Sequence, residues 1–151
     1  MLSRRSFLVS LAAAPFVVSG AASSLAATPA DLVRMYKTPW CGCCEAWGEH
    51  MREAGFPIDV TVLQDLTPLK ESHGITESLA SCHTALVGGY VLEGHVPAAD
   101  VRRLLAERPA ATGLAVPGMP LGSPGMETDG HADSYEVILF APGRQEVFSR
   151  Y

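Results

Sequence analysis

The sequence predicts an α/β fold: one sheet with flanking helices, extended by a long Gly/Pro/Met loop and a C-terminal β-hairpin. Three observations lead there. Short β-branched or apolar runs alternate with amphipathic ones, the pattern of a sheet covered by helices. Three of the four cysteines fall in Trp40-Cys41-Gly42-Cys43-Cys44, between a strand-like and a helix-like run. Composition then changes at Pro109, where Pro, Gly and small residues take over before two further strand-like runs close the chain.

Each element has a local reason. Leu32–Lys37 is read as the first strand, and Thr38-Pro39-Trp40 turns the chain into the cysteines. Glu45–Ala54 is a helix, ended by Gly55 and Pro57. Cys44, Trp47, Met51 and Ala54 recur every three to four residues and give it one buried stripe. Ile58–Leu63 alternates and is β-branched, a second strand. Leu66–His73 is a short helix closed by Gly74. Thr84–Val87 and Tyr90–His95 form a hairpin across Gly88-Gly89. Pro97 opens a helix that runs to Glu107, since proline is tolerated in the first turn. The order to this point is β-α-β-α-β-β-α. Residues 109–131 show neither helical nor strand period, and a loop of that length in a small domain is functional or disordered. Tyr135–Phe140 and Gln145–Tyr151 flank Ala141-Pro142-Gly143-Arg144 as a hairpin that pins the far end of this loop.

The first 26 residues are read as an export signal of the twin-arginine type. Ser3-Arg4-Arg5-Ser6-Phe7-Leu8 carries the paired arginines, an apolar stretch runs from Phe7 to Val18, and Ser24-Leu25-Ala26 offers small-x-small cleavage after Ala26. The apolar stretch, broken by Pro15 and Ser19, is shorter than the ~20 residues a spanning helix needs. The expected mature protein is therefore periplasmic, without a membrane anchor, with residues 27–30 as a linker and 27–151 as one domain. Cleavage removes Arg4 and Arg5 and no acid, so 11 Lys+Arg fall to 9 against 16 Asp+Glu, a formal net charge of −7. That balance argues against nucleic acid as a partner, which calls for a basic face. An exported compartment permits disulfides. Yet adjacent Cys43 and Cys44 do not suit a stapled scaffold, because a bridge between neighbours is strained. The cluster reads as a site.

A strand, then Trp-Cys-Gly-x-Cys, then a helix is the layout of a thioredoxin-type site. Proline is usual between the glycine and the second cysteine; here that residue is Cys43. Cys41 and Cys44 fall at a helix N-terminus, where the dipole favours thiolate. With Cys43 turned out of the helix, three sulfurs can share a soft cation. Cys82, in Ser81-Cys82-His83-Thr84, lies in the loop that faces the cysteine motif in such folds and that usually supplies a proline there. It is the candidate fourth sulfur, and His83 beside it is a weaker candidate ligand. Met119 and Met126 sit among turn formers that leave little core to fill, and thioether sulfur suits Cu(I). His131 is a lesser candidate, while His50, His73 and His95 read as surface or helix-end residues. No phosphate-cradling loop, nucleophile elbow or His-Glu-x-x-His competes.

Taken in order, Thr38-Pro39-Trp40-Cys41-Gly42-Cys43-Cys44, Ser81-Cys82-His83-Thr84, and Gly118-Met119-Pro120 through Gly125-Met126-Glu127 resemble the CopG-like copper-resistance proteins. The resemblance covers nearly all of the expected mature chain. It implies a thioredoxin-like fold, a periplasmic location, and several copper ions held by Cys41, Cys43, Cys44 and Cys82. It also implies copper detoxification by shifting copper between Cu(I) and Cu(II), an oxidoreductase activity, alongside other periplasmic copper-handling proteins. Two other readings stay open on the residues themselves. One is a thiol-disulfide oxidoreductase using Cys41 and Cys44. The other is a zinc or iron–sulfur module on the four cysteines, which leaves the methionine loop unexplained.

Overall fold

The computed structural model describes residues 31–151; the expected signal peptide and linker lie outside these residues. The elements are β1 (Val33–Lys37), α1 (Gly42–Glu53), β2 (Ile58–Val62), α2 (Thr67–Ser72), β3 (His83–Val87), β4 (Tyr90–Glu93), α3 (Ala98–Glu107), β5 (Gly113–Ala115), β6 (Glu136–Ala141) and β7 (Arg144–Arg150). The mixed α/β architecture and the order β-α-β-α-β-β-α up to Glu107 are those read from the sequence, as is the closing hairpin.

All seven strands form one sheet in the order β2-β1-β3-β4-β5-β6-β7. β1 runs parallel to β2 and antiparallel to β3; β4 runs parallel to β5; the other neighbours are antiparallel. β5, between β4 and β6, corrects the sequence reading, which left residues 109–131 without a strand. Gly113 pairs with Val91, and a Cβ on it would lie 1.7 Å from the Val91 carbonyl oxygen. Only glycine permits that approach.

The sheet is packed on both faces. Successive side chains of a strand point to opposite sides. Leu92, Leu114 and Leu139 therefore join α1 and α3 (Trp47, Met51, Val101, Leu104) in one core, while Val91, Ala115 and Phe140 pack under Ile75 and Leu79 in another. Cys44, Trp47 and Met51 are fully buried, as their spacing required, and Ala54 packs against the same core. Burial of each large apolar side chain contributes roughly 1.5–3 kcal/mol. Among the described residues no helix is long and apolar enough to cross a membrane.

Candidate metal centre

Strand register brings the cysteines together. Lys37, the last residue of β1, pairs with His83, the first of β3. The chain leaving β1 thus turns into α1 beside the chain entering β3. Cys41 is the N-cap of α1, so Cys43 and Cys44 already lie in its first turn. Cys82 faces them from the start of β3. The four Sγ atoms all lie within 4.8 Å of one another. Cys43 Sγ is 3.5 Å from Cys41 Sγ and 3.8 Å from Cys82 Sγ, and Cys44 Sγ is 3.6 Å from Cys82 Sγ. The sequence expectation that Cys43 joins its neighbours, with Cys82 as a fourth sulfur, matches this geometry.

The chain is in an oxidised form: Cys41 and Cys44 are disulfide-bonded, with Cα atoms 5.5 Å apart, and Cys43 and Cys82 are free thiols. Burial pushes the Cys82 thiol up to about 12, and the nearby Cys43 adds to the shift. A cation among the sulfurs reverses that balance, because positive charge stabilises thiolate.

Two histidines complete the surroundings. His83 is fully buried against the Trp47 ring, 4.5 Å between centroids, with Nδ1 3.4 Å from Cys82 Sγ. Its Nε2 has no hydrogen-bond partner among the described residues. Burial holds His83 well below the usual imidazole range, helped by His95 and Lys70. His95 overturns the sequence reading of a surface or helix-end residue. It is fully buried, with Nε2 3.1 Å from Cys82 Sγ and Nδ1 2.7 Å from the Pro124 carbonyl. A carbonyl only accepts, so Nδ1 carries the proton and Nε2 presents its lone pair to the sulfur side. A metal-ligating histidine is oriented in this way. Burial also lowers the His95 pKa, which favours that neutral form.

Polar groups missed at the sequence level hold the frame. Lys37, 4 % exposed, donates from Nζ to the Cys41 carbonyl at 3.3 Å and pairs with Glu45 at 3.0 Å. Glu93, fully buried, accepts from Lys70, from Thr84 Oγ1 at 2.7 Å and from Ser81 N–H at 2.6 Å, which fixes the step that carries Cys82. The signal for Glu93 was its place in the strand run Tyr90-Val91-Leu92-Glu93, and for His95 its place beside Val96 just beyond that strand. A polar residue in a strand covered on both faces needs a partner.

The long loop closes over one side. Ser81 bridges to Gly118, the Gly118 N–H bonds the Ala80 carbonyl at 3.0 Å, and Pro124 meets His95. Gly125 sits so close to α1 that a Cβ would be 2.6 Å from Trp47 N and 3.0 Å from the Cys43 carbonyl oxygen. A cavity of about 460 Å³ opens above the sulfurs, lined among others by Trp40, Cys41, Cys43, Lys70, Cys82 and Met119. Met119 stands half exposed at its wall; Met126, half-buried on the same loop, does not line it. Of the remaining histidines, His50 accepts from Ala98 N–H at 3.2 Å, His73 caps α2, and His131 is exposed beside Asp133.

Two solved structures, Form 2 and Form 1 of copper resistance protein CopG, superpose on this chain. Each is 39% identical with a TM-score of 0.76, and covers 80% of this chain; the matched parts are 97% and 96% of those chains. The chain belongs to the CopG-like copper-resistance family. A family model described as a protein of unknown function, DUF411, matches residues 79–126, the part of this CopG-like chain that carries Cys82, His83, His95, Met119 and Met126. No curated protein matches it.

Proposed function

We propose that the protein is an exported copper-binding protein of copper resistance, which in its reduced form holds more than one copper ion on Cys41, Cys43, Cys44 and Cys82. The carrying observation is four cysteine sulfurs within 4.8 Å at one end of a sheet. Thiolates are soft donors that suit Cu(I), and both solved relatives bear the name copper resistance protein. His95 and His83 are proposed as imidazole donors at the Cys82 side, with Met119 as a thioether at the cavity wall. Interconversion of Cu(I) and Cu(II) is proposed as the activity, with copper as cargo or substrate and periplasmic copper-handling proteins as its sources and acceptors.

Titration of the reduced chain with Cu(I), against a chelator and in parallel with Zn(II), tests the reading. Several Cu(I) bound far more tightly than Zn(II) supports it; no Cu(I) uptake, or Zn(II) preferred, overturns it. Cys43→Pro lies in the first turn of α1, where proline is tolerated, and should lower copper capacity while keeping the fold. The periplasmic assignment rests on Arg4-Arg5 and Ser24-Leu25-Ala26. Changing both arginines to Lys should leave uncleaved precursor in the cytoplasm, and normal processing removes the twin-arginine route.

A second reading has its own observation. The Cys41–Cys44 disulfide fits a thiol-disulfide oxidoreductase. Metal-free protein that passes this disulfide to a dithiol partner, with no copper uptake, would favour it.

A further inference from the structure

Acids outnumber bases in this chain, 16 Asp+Glu against 11 Lys+Arg, so carboxylate partners are not scarce. Yet among the described residues Arg34, Arg102, Arg108 and Arg144 form no salt bridge, while every other Lys and Arg does. Residues 1–30 contain no Asp or Glu that could supply one. Three of these four arginines line one trough. Arg34 and Arg108 border a cavity of about 740 Å³ and Arg144 one of about 790 Å³, and the two cavities share His73 and Thr112.

Strand register lays the trough down. Arg34, Leu86, Val91, Gly113, Phe140 and Gln145 pair in one row from β1 to β7, and residues directly opposite share a face. It is the face away from α1 and α3, covered in part by Ile75 and Leu79. Leu86, Val91 and Phe140 give the trough apolar lining, and Gly113 adds no side chain to the row. Two of the guanidiniums are oriented by backbone. Arg108 Nη1 donates to the Gly88 carbonyl at 2.7 Å, over the Tyr90 ring, and Arg144 Nη2 donates to the Ala110 carbonyl at 2.6 Å. An arginine has further donors for a carboxylate. Arg108 also holds a φ of 49° at the C-cap of α3, alone among the described non-glycine residues in being positive, where glycine is the unstrained choice. Glu71 is the one carboxylate on the lining, and Asp59, in register with Arg34 on β2, forms no salt bridge with it.

We propose that this trough docks an extended acidic segment of a partner protein, with its carboxylates on Arg34, Arg108 and Arg144 and its apolar side chains on Leu86, Val91 and Phe140. Arg34 and Arg144 stand on strands five spacings apart in the sheet, or about 24 Å. No single small anion spans that distance, whereas an extended chain of about seven residues does. A flat lipid surface does not enter a trough, and the acid excess of the chain opposes anionic lipid. Position gives the docking its use. His73 caps α2 at the trough, and Lys70 of the same helix lines the cavity above the sulfurs. A partner held here leaves that cavity open. The proposal does not rest on the copper reading.

The test uses the mature chain and fluorescent peptides of about eight residues, in which glutamates alternate with leucine or phenylalanine. Binding is read by anisotropy at low salt. The expected result is saturable binding that weakens as NaCl is added and is lost when glutamine replaces every glutamate. Arg34→Gln, Arg108→Gly and Arg144→Gln should each weaken it about fivefold. Arg102→Gln is the control: it too has no carboxylate partner, but it bonds the Ala54 carbonyl away from the trough, so binding should be unchanged. Glycine relieves the strain at residue 108, so the thermal midpoint of Arg108→Gly should stay near the parent's while its binding falls. No binding, equal binding of the glutamine peptides, or equal loss in Arg102→Gln overturns the proposal. Three rival occupants overturn it as well. Inorganic phosphate that displaces the peptide at equal concentration makes this a small-anion site. Phosphatidylglycerol vesicles that bind the chain through these arginines, with no peptide binding, make it a membrane face. Self-association in sedimentation velocity that the arginine changes abolish, again with no peptide binding, makes the occupant a second copy.

Discussion

His95 Nε2 lies 3.1 Å from Cys82 Sγ, while His95 Nδ1 donates to the Pro124 carbonyl. One imidazole therefore joins the candidate metal centre to the loop that covers it. His95→Phe keeps the ring volume and removes both contacts. It strands the buried Pro124 carbonyl, which should cost about 1–3 kcal/mol of apo-protein stability, read as a shift in denaturant midpoint. Transfer of Cu(I) to a chelator should also be faster. Unchanged transfer alongside lost stability would make His95 a purely structural residue.

Much of this was legible in the sequence, and the gaps have physical causes. The cysteine motif, Cys82 and the hairpins are local signals, carried by residue type and spacing. α1 begins earlier than the helix read from the sequence, because Gly42 and Cys43 lie outside the stripe that starts at Cys44 yet belong to its first turn. β5 was invisible because Gly-Leu-Ala has no alternation to read. Its three residues are held as a strand by β4 and β6, which are remote in sequence. His95 was misplaced because it lies just past the end of β4 at Glu93, where a strand end ordinarily reaches the surface. The folded chain buries everything from Val91 to Ala98 beneath the loop and α3. The grouping of the four cysteines was readable; the histidine beside Cys82 depends on tertiary packing.

Tyr135 and Tyr151 stack with ring centroids 5.0 Å apart, and Tyr151 donates to Asp100 at 2.8 Å. Burial pushes each phenol up to about 12; Tyr151 and Asp100 add to this at Tyr135, and the Asp100 contact adds to it at Tyr151. An unfolded tyrosine titrates near 10. Above that pH the unfolded chain sheds phenol protons that the folded chain retains, so stability is full below about 10 and falls as pH rises towards about 12. The double variant Tyr135→Phe, Tyr151→Phe should flatten that fall in chemical denaturation between these two pH values. An equally steep fall in the variant would assign it to other groups.

Gly125 and Gly130 separate seating of the loop from backbone strain. Both have positive φ, 87° at Gly130 and 84° at Gly125, so alanine costs about 1–2 kcal/mol at either. A Cβ at Gly130 meets nothing within 4 Å, whereas one at Gly125 meets Trp47 N and the Cys43 carbonyl. Gly125→Ala should cost about 1–3 kcal/mol more than Gly130→Ala. It should also make residues 116–134 easier to cut by protease and speed loss of bound Cu(I). Equal costs and equal cleavage at the two positions would mean that the loop does not rest on α1 in solution.

Met119 and Met126 were equivalent in the sequence, and the structure separates them. Met119 lines the cavity above the sulfurs and is half exposed; Met126 is half-buried, and its N–H bonds the Ser123 carbonyl at 2.8 Å within the loop's own turn. Leucine nearly conserves the volume of methionine, so either replacement should cost less than about 1.5 kcal/mol. What leucine cannot supply is the thioether, a soft donor that favours Cu(I) over Cu(II). Met119→Leu should therefore speed air oxidation of bound Cu(I), or its transfer to a chelator, with apo-protein stability little changed. Met126→Leu should leave both rates near those of the parent. If Met126→Leu is the faster variant, the loop turns over when copper binds and brings its second methionine to the metal. If neither rate moves, both side chains serve packing alone, and the copper is held by the cysteines and His95.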